Sequence, residues 1–168
     1  MEDVLRSLGY LTLGSRLRRI GERLQATTQV HLSAAGITVP AAQLPVLAAL
    51  DRHGPLTVGE LAQALRQTQP GVTRMADKLQ QAGWVRTRRE AGDQRIRRLM
   101  LSASGKRLID HARTAVWPAI ERALAEQCAA QQRDLLDQLT AFEDSLLDGG
   151  MQARLIAEGS REYAHASA

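Results

Sequence analysis

The feature that most restricts how this 168-residue chain can fold is an ordered succession between positions 57 and 101. Thr57-Val58-Gly59-Glu60 has the form of a capping box, in which the Thr57 hydroxyl accepts from the Glu60 amide and the Glu60 carboxylate accepts from that of Thr57. The short helix it opens carries Leu61, Ala62 and Leu65. A turn is expected at Arg66-Gln67, after which Thr68 stands as the N-cap of a second helix with Pro70 in its first turn. Val72, Met75, Ala76 and Leu79 form the buried stripe of that helix, and Gly83 ends it. Trp84 to Arg89 then alternates as a strand would, Glu90-Ala91-Gly92-Asp93 reads as a turn, and Arg95 to Leu101 returns with Leu99 and Leu101 on one face. Two short helices joined by a tight turn, followed directly by a slim basic hairpin, have the order of a helix-turn-helix with a wing.

Charge follows the same unit. The net charge is only +4, yet eleven of the 22 Lys and Arg lie between positions 66 and 107, against three acids: Asp77, Glu90 and Asp93. A solvated face is the ordinary explanation of a basic run. Confinement to one supersecondary unit points instead to a polyanionic partner. On the second helix Thr68, Gln69, Thr73, Arg74, Asp77 and Lys78 lie off the apolar stripe. Small polar and basic residues at such an N-terminal end suit base edges in a major groove, and the helix amides suit phosphate. The hairpin's Arg88, Arg89, Arg95 and Arg97 suit a narrow minor groove, where negative potential is concentrated.

Outside this lobe the chain reads as helical. Aromatics are 3% of residues within a hydrophobic content of 44%, so the core must come from Leu, Ala, Val and Ile. One long helix is expected over about Val4 to Leu32, with Leu13, Leu17, Ile20 and Leu24 as an apolar seam. Another is expected from about Pro40 to Arg52, capped by Thr38, with Pro45 imposing either a later start or a bend. Ser102 is expected to cap a helix from Ala103 to Cys128, and a last helix runs from Gln131 to Leu147. The fold expected is mainly α with a small β-hairpin wing, a single domain over 1–168. Its winged lobe spans 38–102, and the segments 1–35 and 103–168 are the helices available to hold a second copy.

The order of parts and the residues together resemble the MarR (multiple antibiotic resistance regulator) family over about positions 10 to 147. The resemblance rests on Leu56-Thr57-Val58-Gly59-Glu60-Leu61-Ala62, Gln69-Pro70-Gly71-Val72-Thr73-Arg74, Leu79-Gln80-Gln81-Ala82-Gly83-Trp84-Val85, Gly92-Asp93-Gln94-Arg95 and Leu99-Met100-Leu101-Ser102-Ala103-Ser104-Gly105. None is unique to the family; in this order and spacing they are specific. Ser102 departs from the threonine often found there but keeps the capping hydroxyl. The resemblance implies a homodimer with interleaved terminal helices, bound to a pseudo-palindromic operator in double-stranded DNA, usually as a repressor released by a ligand or by oxidation. It places Gln69, Thr73, Arg74 and Lys78 against the major groove and Arg95 in the minor groove, with Asp93 fixing the wing.

The resemblance also implies an effector site between the dimerisation helices and the DNA-binding lobe. His31, His111, Arg113 and Trp117 have chemistry suited to a phenolic or aromatic acid there. A packed core aromatic is the competing reading of Trp117, and a surface or capped position that of each histidine. The lone Cys128 excludes an intrachain disulfide or a multi-cysteine metal site, and no cofactor is expected. An enzyme is disfavoured: there is no Gly-rich phosphate loop, HExxH or Gly-x-Ser-x-Gly. A catalytic domain after the last helix is not expected. With neither a signal-peptide pattern nor a membrane-spanning run, a cytoplasmic protein is expected. The reading from another class is a winged helix that contacts only protein, its hairpin arginines merely solvated.

Overall fold

Helix, turn, helix and hairpin follow one another in the expected order. The computed structural model describes residues 1–90, 93, 96–129, 135–147 and 151–156. The chain packs as two units, Met1–Ile120 and Glu121–Ala168. In the first, α1 (Val4–Ser7), a 3-10 turn (Gly9–Thr12) and α2 (Leu13–Ala34) lead to a second 3-10 turn (Ala41–Gln43) and α3 (Leu44–His53). Then come α4 (Val58–Ala64), α5 (Gln69–Gln81), the antiparallel strands β1 (Val85–Arg89) and β2 (Arg97–Leu101), and α6 (Ala103–His111). A π-helical segment (Ala112–Val116) joins α6 to α7 (Trp117–Ala129). The second unit contains α8 (Leu135–Leu147), and residues 151–156 are also helical.

Two helices differ from the sequence expectation, and a third takes the later start that Pro45 allowed. The long first helix is broken: Gly9 has φ +57°, a region costly for residues with a Cβ. Thr12 Oγ1 donates to the Leu5 carbonyl at 2.7 Å, and Arg19 pairs with Asp3 at 3.0 Å, so the broken-off turn folds back on α2. The second helix starts late, at Leu44, with Pro45 in its first turn, where no intrahelical donor is lost. Gln43, not Thr38, is its N-cap residue and makes no side-chain cap bond. Finally, the helix after Ser102 widens into the π segment just before Pro118. A regular α-helix would drive the proline ring into the Thr114 carbonyl and leave a missing donor; the wider turn relieves both.

The core is built as the apolar pattern requires. Leu47 on α3, Leu61 on α4, Val72 and Leu79 on α5, Val85 and Leu99 on the hairpin, and Ile109 and Val116 beyond it are buried together. Each such side chain contributes about 1.5–3 kcal/mol by leaving water. Helix α3 lies at the centre, against α4, α5, β2 and α6. Apolar exposure has the opposite distribution. Tyr10, Leu11, Leu17, Ile20 and Leu24 are exposed near one end of the chain, and Leu136, Leu139, Phe142, Leu146 and Leu147 near the other. Between residues 31 and 123, Ile96 is the one large hydrophobic so exposed among the described residues. No described helix is long and apolar enough to cross a membrane.

Two polar joints hold α6 to the lobe. Ser102 Oγ accepts from the Gly105 amide at 3.0 Å and donates to the Gly83 carbonyl at 2.6 Å, and Ser104 Oγ donates to the same carbonyl at 2.9 Å. This draws the backbone of α6 so close that a Cβ on Gly105 would lie 2.0 Å from the Trp84 oxygen. On the other side of α6, Asp51 at the end of α3 accepts from Lys106 Nζ at 2.9 Å and from the Arg113 guanidinium, while Lys106 also reaches Asp110 at 2.7 Å. Lys106, then Arg113, hold the Asp51 carboxyl below the usual carboxylate range, against the opposing effect of burial.

Two stability experiments follow from these joints. Gly59 and Gly105 both lie early in helices, where alanine is intrinsically favoured by up to about 1 kcal/mol. Gly59→Ala meets nothing closer than 3.9 Å and is expected to raise the urea midpoint. Gly105→Ala meets backbone and is expected to lose about 1–3 kcal/mol, lowering the midpoint. Because the folded pKa of Asp51 is depressed, its stabilisation is fully present above the unfolded value of about 4 and is lost as pH falls through the folded value. Urea titrations below pH 5 should therefore show a shallower acid loss in Asp51→Asn than in the parent protein.

Candidate nucleic-acid interface

The buried stripe of α5 decides which of its residues face outward. With Val72, Ala76 and Leu79 in the core, Thr68, Gln69, Thr73, Arg74 and Lys78 are all exposed, as is Asp77. Arg74 and Lys78 form no ion pair among the described residues. The Thr73 hydroxyl donates to the Gln69 carbonyl at 2.8 Å. Thr68 occupies the N-cap position in extended conformation without a side-chain cap bond, and its hydroxyl lies 3.1 Å from where a Cβ of Gly71 would be. Glycine at 71 thus leaves the leading end of α5 open. The preceding turn is held by Arg66 at φ +48°, the one non-glycine residue with positive φ among those described.

The capping box opening α4 is present in full. The Glu60 amide donates to Thr57 Oγ1 at 3.2 Å, and Glu60 Oε2 accepts from the Thr57 amide at 2.7 Å. That amide, with Arg98, holds the Glu60 carboxyl below its usual range. Leu56, just before the box, makes a two-way backbone bridge to Leu99 on β2, at 3.0 and 2.7 Å.

The hairpin register pairs Val85 with Leu101, Thr87 with Leu99 and Arg89 with Arg97; Arg86 with Met100 and Arg88 with Arg98 alternate with them. Side chains alternate across a strand, so Arg89 and Arg97 share a face with the buried Val85 and Leu99. Beyond the core they line, with Thr73, Asp77, Gln80 and Thr87, a groove of about 470 Å³ between α5 and the hairpin. Thr87 Oγ1 donates to Gln80 Oε1 at 2.7 Å across that groove. Arg88 and Asp93 are exposed. The other minor-groove candidate, Arg95, lies outside the described residues with Ala91, Gly92 and Gln94.

Two cations of the basic stretch have internal roles that the sequence reading missed. Lys106 belongs to the Asp51 joint. Arg98 donates through Nη1 to Glu60 Oε2 at 2.7 Å and through Nε to Glu90 Oε2 at 2.9 Å. The only hint in the sequence is that Glu90 is one of just three acids in a stretch where cations predominate.

The effector candidates fall along the α6–α7 run. His111 Nε2 is 3.2 Å from the Ala35 carbonyl, Arg113 is engaged by Asp51 and Asp110, and Trp117 is half-buried against the core. None of them lines the grooves beside α5. His31 is exposed on α2, and Cys128 is half-buried on α7. Among the described residues no group of three or more His, Cys, Asp or Glu is placed to hold a metal ion.

A capped helix, a tight turn, a second helix with a polar cationic face and a basic hairpin define a winged helix-turn-helix protein. Residues 35–96, the winged lobe, match the MarR family. It is 33% identical over 89 residues to the HTH-type transcriptional repressor MdtR of Bacillus subtilis, a match covering 53% of this chain and 56% of that protein. The match thus spans little more than half of this curated relative. Among solved structures, E. coli MarR complexed with operator DNA superposes with a TM-score of 0.67 at 21% identity, covering 87% of this chain and 99% of that one. The transcriptional repressor CouR bound to a 23-mer DNA duplex gives 0.64 at 26% identity, covering 83% and 96%. The chain therefore has the fold of MarR-family transcriptional regulators.

Proposed function

We propose that this chain is a sequence-specific transcriptional repressor that occupies a pseudo-palindromic operator as a homodimer in the cytoplasm and is released by a small-molecule effector. The observation that carries this reading is the exposed face of α5, where Arg74 and Lys78 have no acidic partner among the described residues, beside a hairpin rich in arginine. Thr68, Gln69, Thr73, Arg74 and Lys78 are the proposed major-groove contacts; Arg88, Arg89, Arg95 and Arg97 are those of the wing, with Asp93 shaping its tip. MdtR is a repressor, and the MarR and CouR structures hold DNA, which supports the same use of the same lobe.

A single helix in a groove reads only a few base pairs, so discrimination calls for two copies about one helical turn apart. The exposed apolar residues at both ends of the chain supply a reason for two copies to associate. For the effector, His111, Arg113 and Trp117 offer polar anchors and an aromatic wall along one helical run, suited to a phenolic or aromatic acid.

Gel-shift titration against the DNA upstream of the chain's own gene, with excess nonspecific competitor, tests this directly. A discrete shift is expected, with affinity falling roughly 10³-fold or more between 50 and 200 mM salt if six or more phosphates are contacted. No specific shift there, and no enrichment in selection from random DNA, would leave a protein-contacting winged helix. Arg74→Ala should cost about 1–3 kcal/mol and relax preference at one operator position. Removal of residues 1–32 should abolish both the dimer, by sedimentation, and specific binding; a truncated protein that still binds its operator specifically would refute the dimer requirement.

A further inference from the structure

We propose that Arg98 is a positioning residue that locks the wing to the start of α4, so that α5 and the hairpin meet DNA as one rigid body. This rests on the DNA-binding reading above. Arg98 lies in a run of arginines yet is only 27% exposed, and both faces of its guanidinium fork are occupied by carboxylates. One is Glu60, whose same oxygen caps α4 through the Thr57 amide. The other is Glu90, which follows β1 and whose amide donates to the Ile96 carbonyl at 3.1 Å, beyond the last ladder pair. One side chain thus spans from the capping box to the distal end of the hairpin. The backbone bridge between Leu56 and Leu99 pins the neighbouring residue of β2.

Two physical arguments favour arginine here. A planar guanidinium presents separate N–H groups to two carboxylates in a fixed geometry, which the single ammonium of lysine does not. Arg88 stands directly across the ladder from Arg98, and like charges so placed repel. Two acidic partners offset that repulsion and let the hairpin keep its register while it remains cationic. A wing that must enter a minor groove while α5 occupies the adjacent major groove needs its angle set before binding. Otherwise the ordering cost is subtracted from affinity.

The test uses the full-length chain and a duplex carrying a site selected from random DNA, made with A·T-rich and with G·C-rich flanks. Arg98→Gln is expected to weaken binding about tenfold on A·T flanks and less than about twofold on G·C flanks, with the salt dependence unchanged. Arg98→Lys should behave like Arg98→Gln, since it keeps the charge but not the bridge. A salt slope reduced by about 0.9 in Arg98→Gln and restored in Arg98→Lys would show a phosphate contact and overturn the proposal. Equal loss on both flanks would overturn it too. Amide hydrogen exchange of the free protein gives a reading independent of DNA. Exchange at Glu90 should quicken about tenfold or more in Arg98→Gln while amides in the middle of α5 are unchanged. Unchanged exchange at Glu90 refutes the lock; absence of DNA binding by the parent protein refutes only the function on which it bears.

Discussion

The winged lobe depends on the stitching of the residue before α4 to the second strand of the hairpin. Leu56 and Leu99 exchange backbone hydrogen bonds, and immediately beside them Glu60 closes the cap of α4. An isolated two-stranded hairpin is marginal in water. Here the bridge gives it a third backbone attachment, and Val85 and Leu99 give it a share of the core. The Thr87–Gln80 hydrogen bond then ties the same hairpin to the end of α5. Helix α5 and the hairpin are thereby mounted on one frame, built around α3.

Electrostatics divides the cations into two sets. Arg98 and Lys106 are neutralised inside the lobe by Glu60, Glu90, Asp51 and Asp110. Arg74 and Lys78 on α5 have no such partner among the described residues. Charge that serves the fold is thus held at the joints, between α3 and α6 and between α4 and the hairpin. The outward charge lies on the face that the apolar stripe of α5 turns away from the core.

Much of the lobe was legible because its signals are local. A capping box needs only residues 57 and 60, a stripe only the 3.6-residue period, and a hairpin only alternation around a turn. The capping box, the stripe of α5, the stop at Gly83 and the Ser102 cap all occur as read. The misses come from elements whose course is set by single residues. Gly9 breaks off the first turn of a helix expected to run unbroken from Val4. Pro118 widens one whose composition gave no other warning. The seam of Leu17, Ile20 and Leu24 was legible as a seam, but nothing in its spacing says what covers it; these residues are exposed.

What the sequence by itself determined is the order of elements, which face of each is apolar, and the concentration of positive charge on one unit. These follow from short-range periodicity and capping chemistry, and they were enough to identify the winged helix-turn-helix. What only the tertiary structure decided is which charges meet. Arg98 is separated from Glu60 by 38 positions and Lys106 from Asp51 by 55. No local pattern links such pairs; the packing of α3 against its neighbours brings them within hydrogen-bonding distance. The same holds for Gly105, whose missing side chain matters only because the Trp84 carbonyl arrives at that point in space.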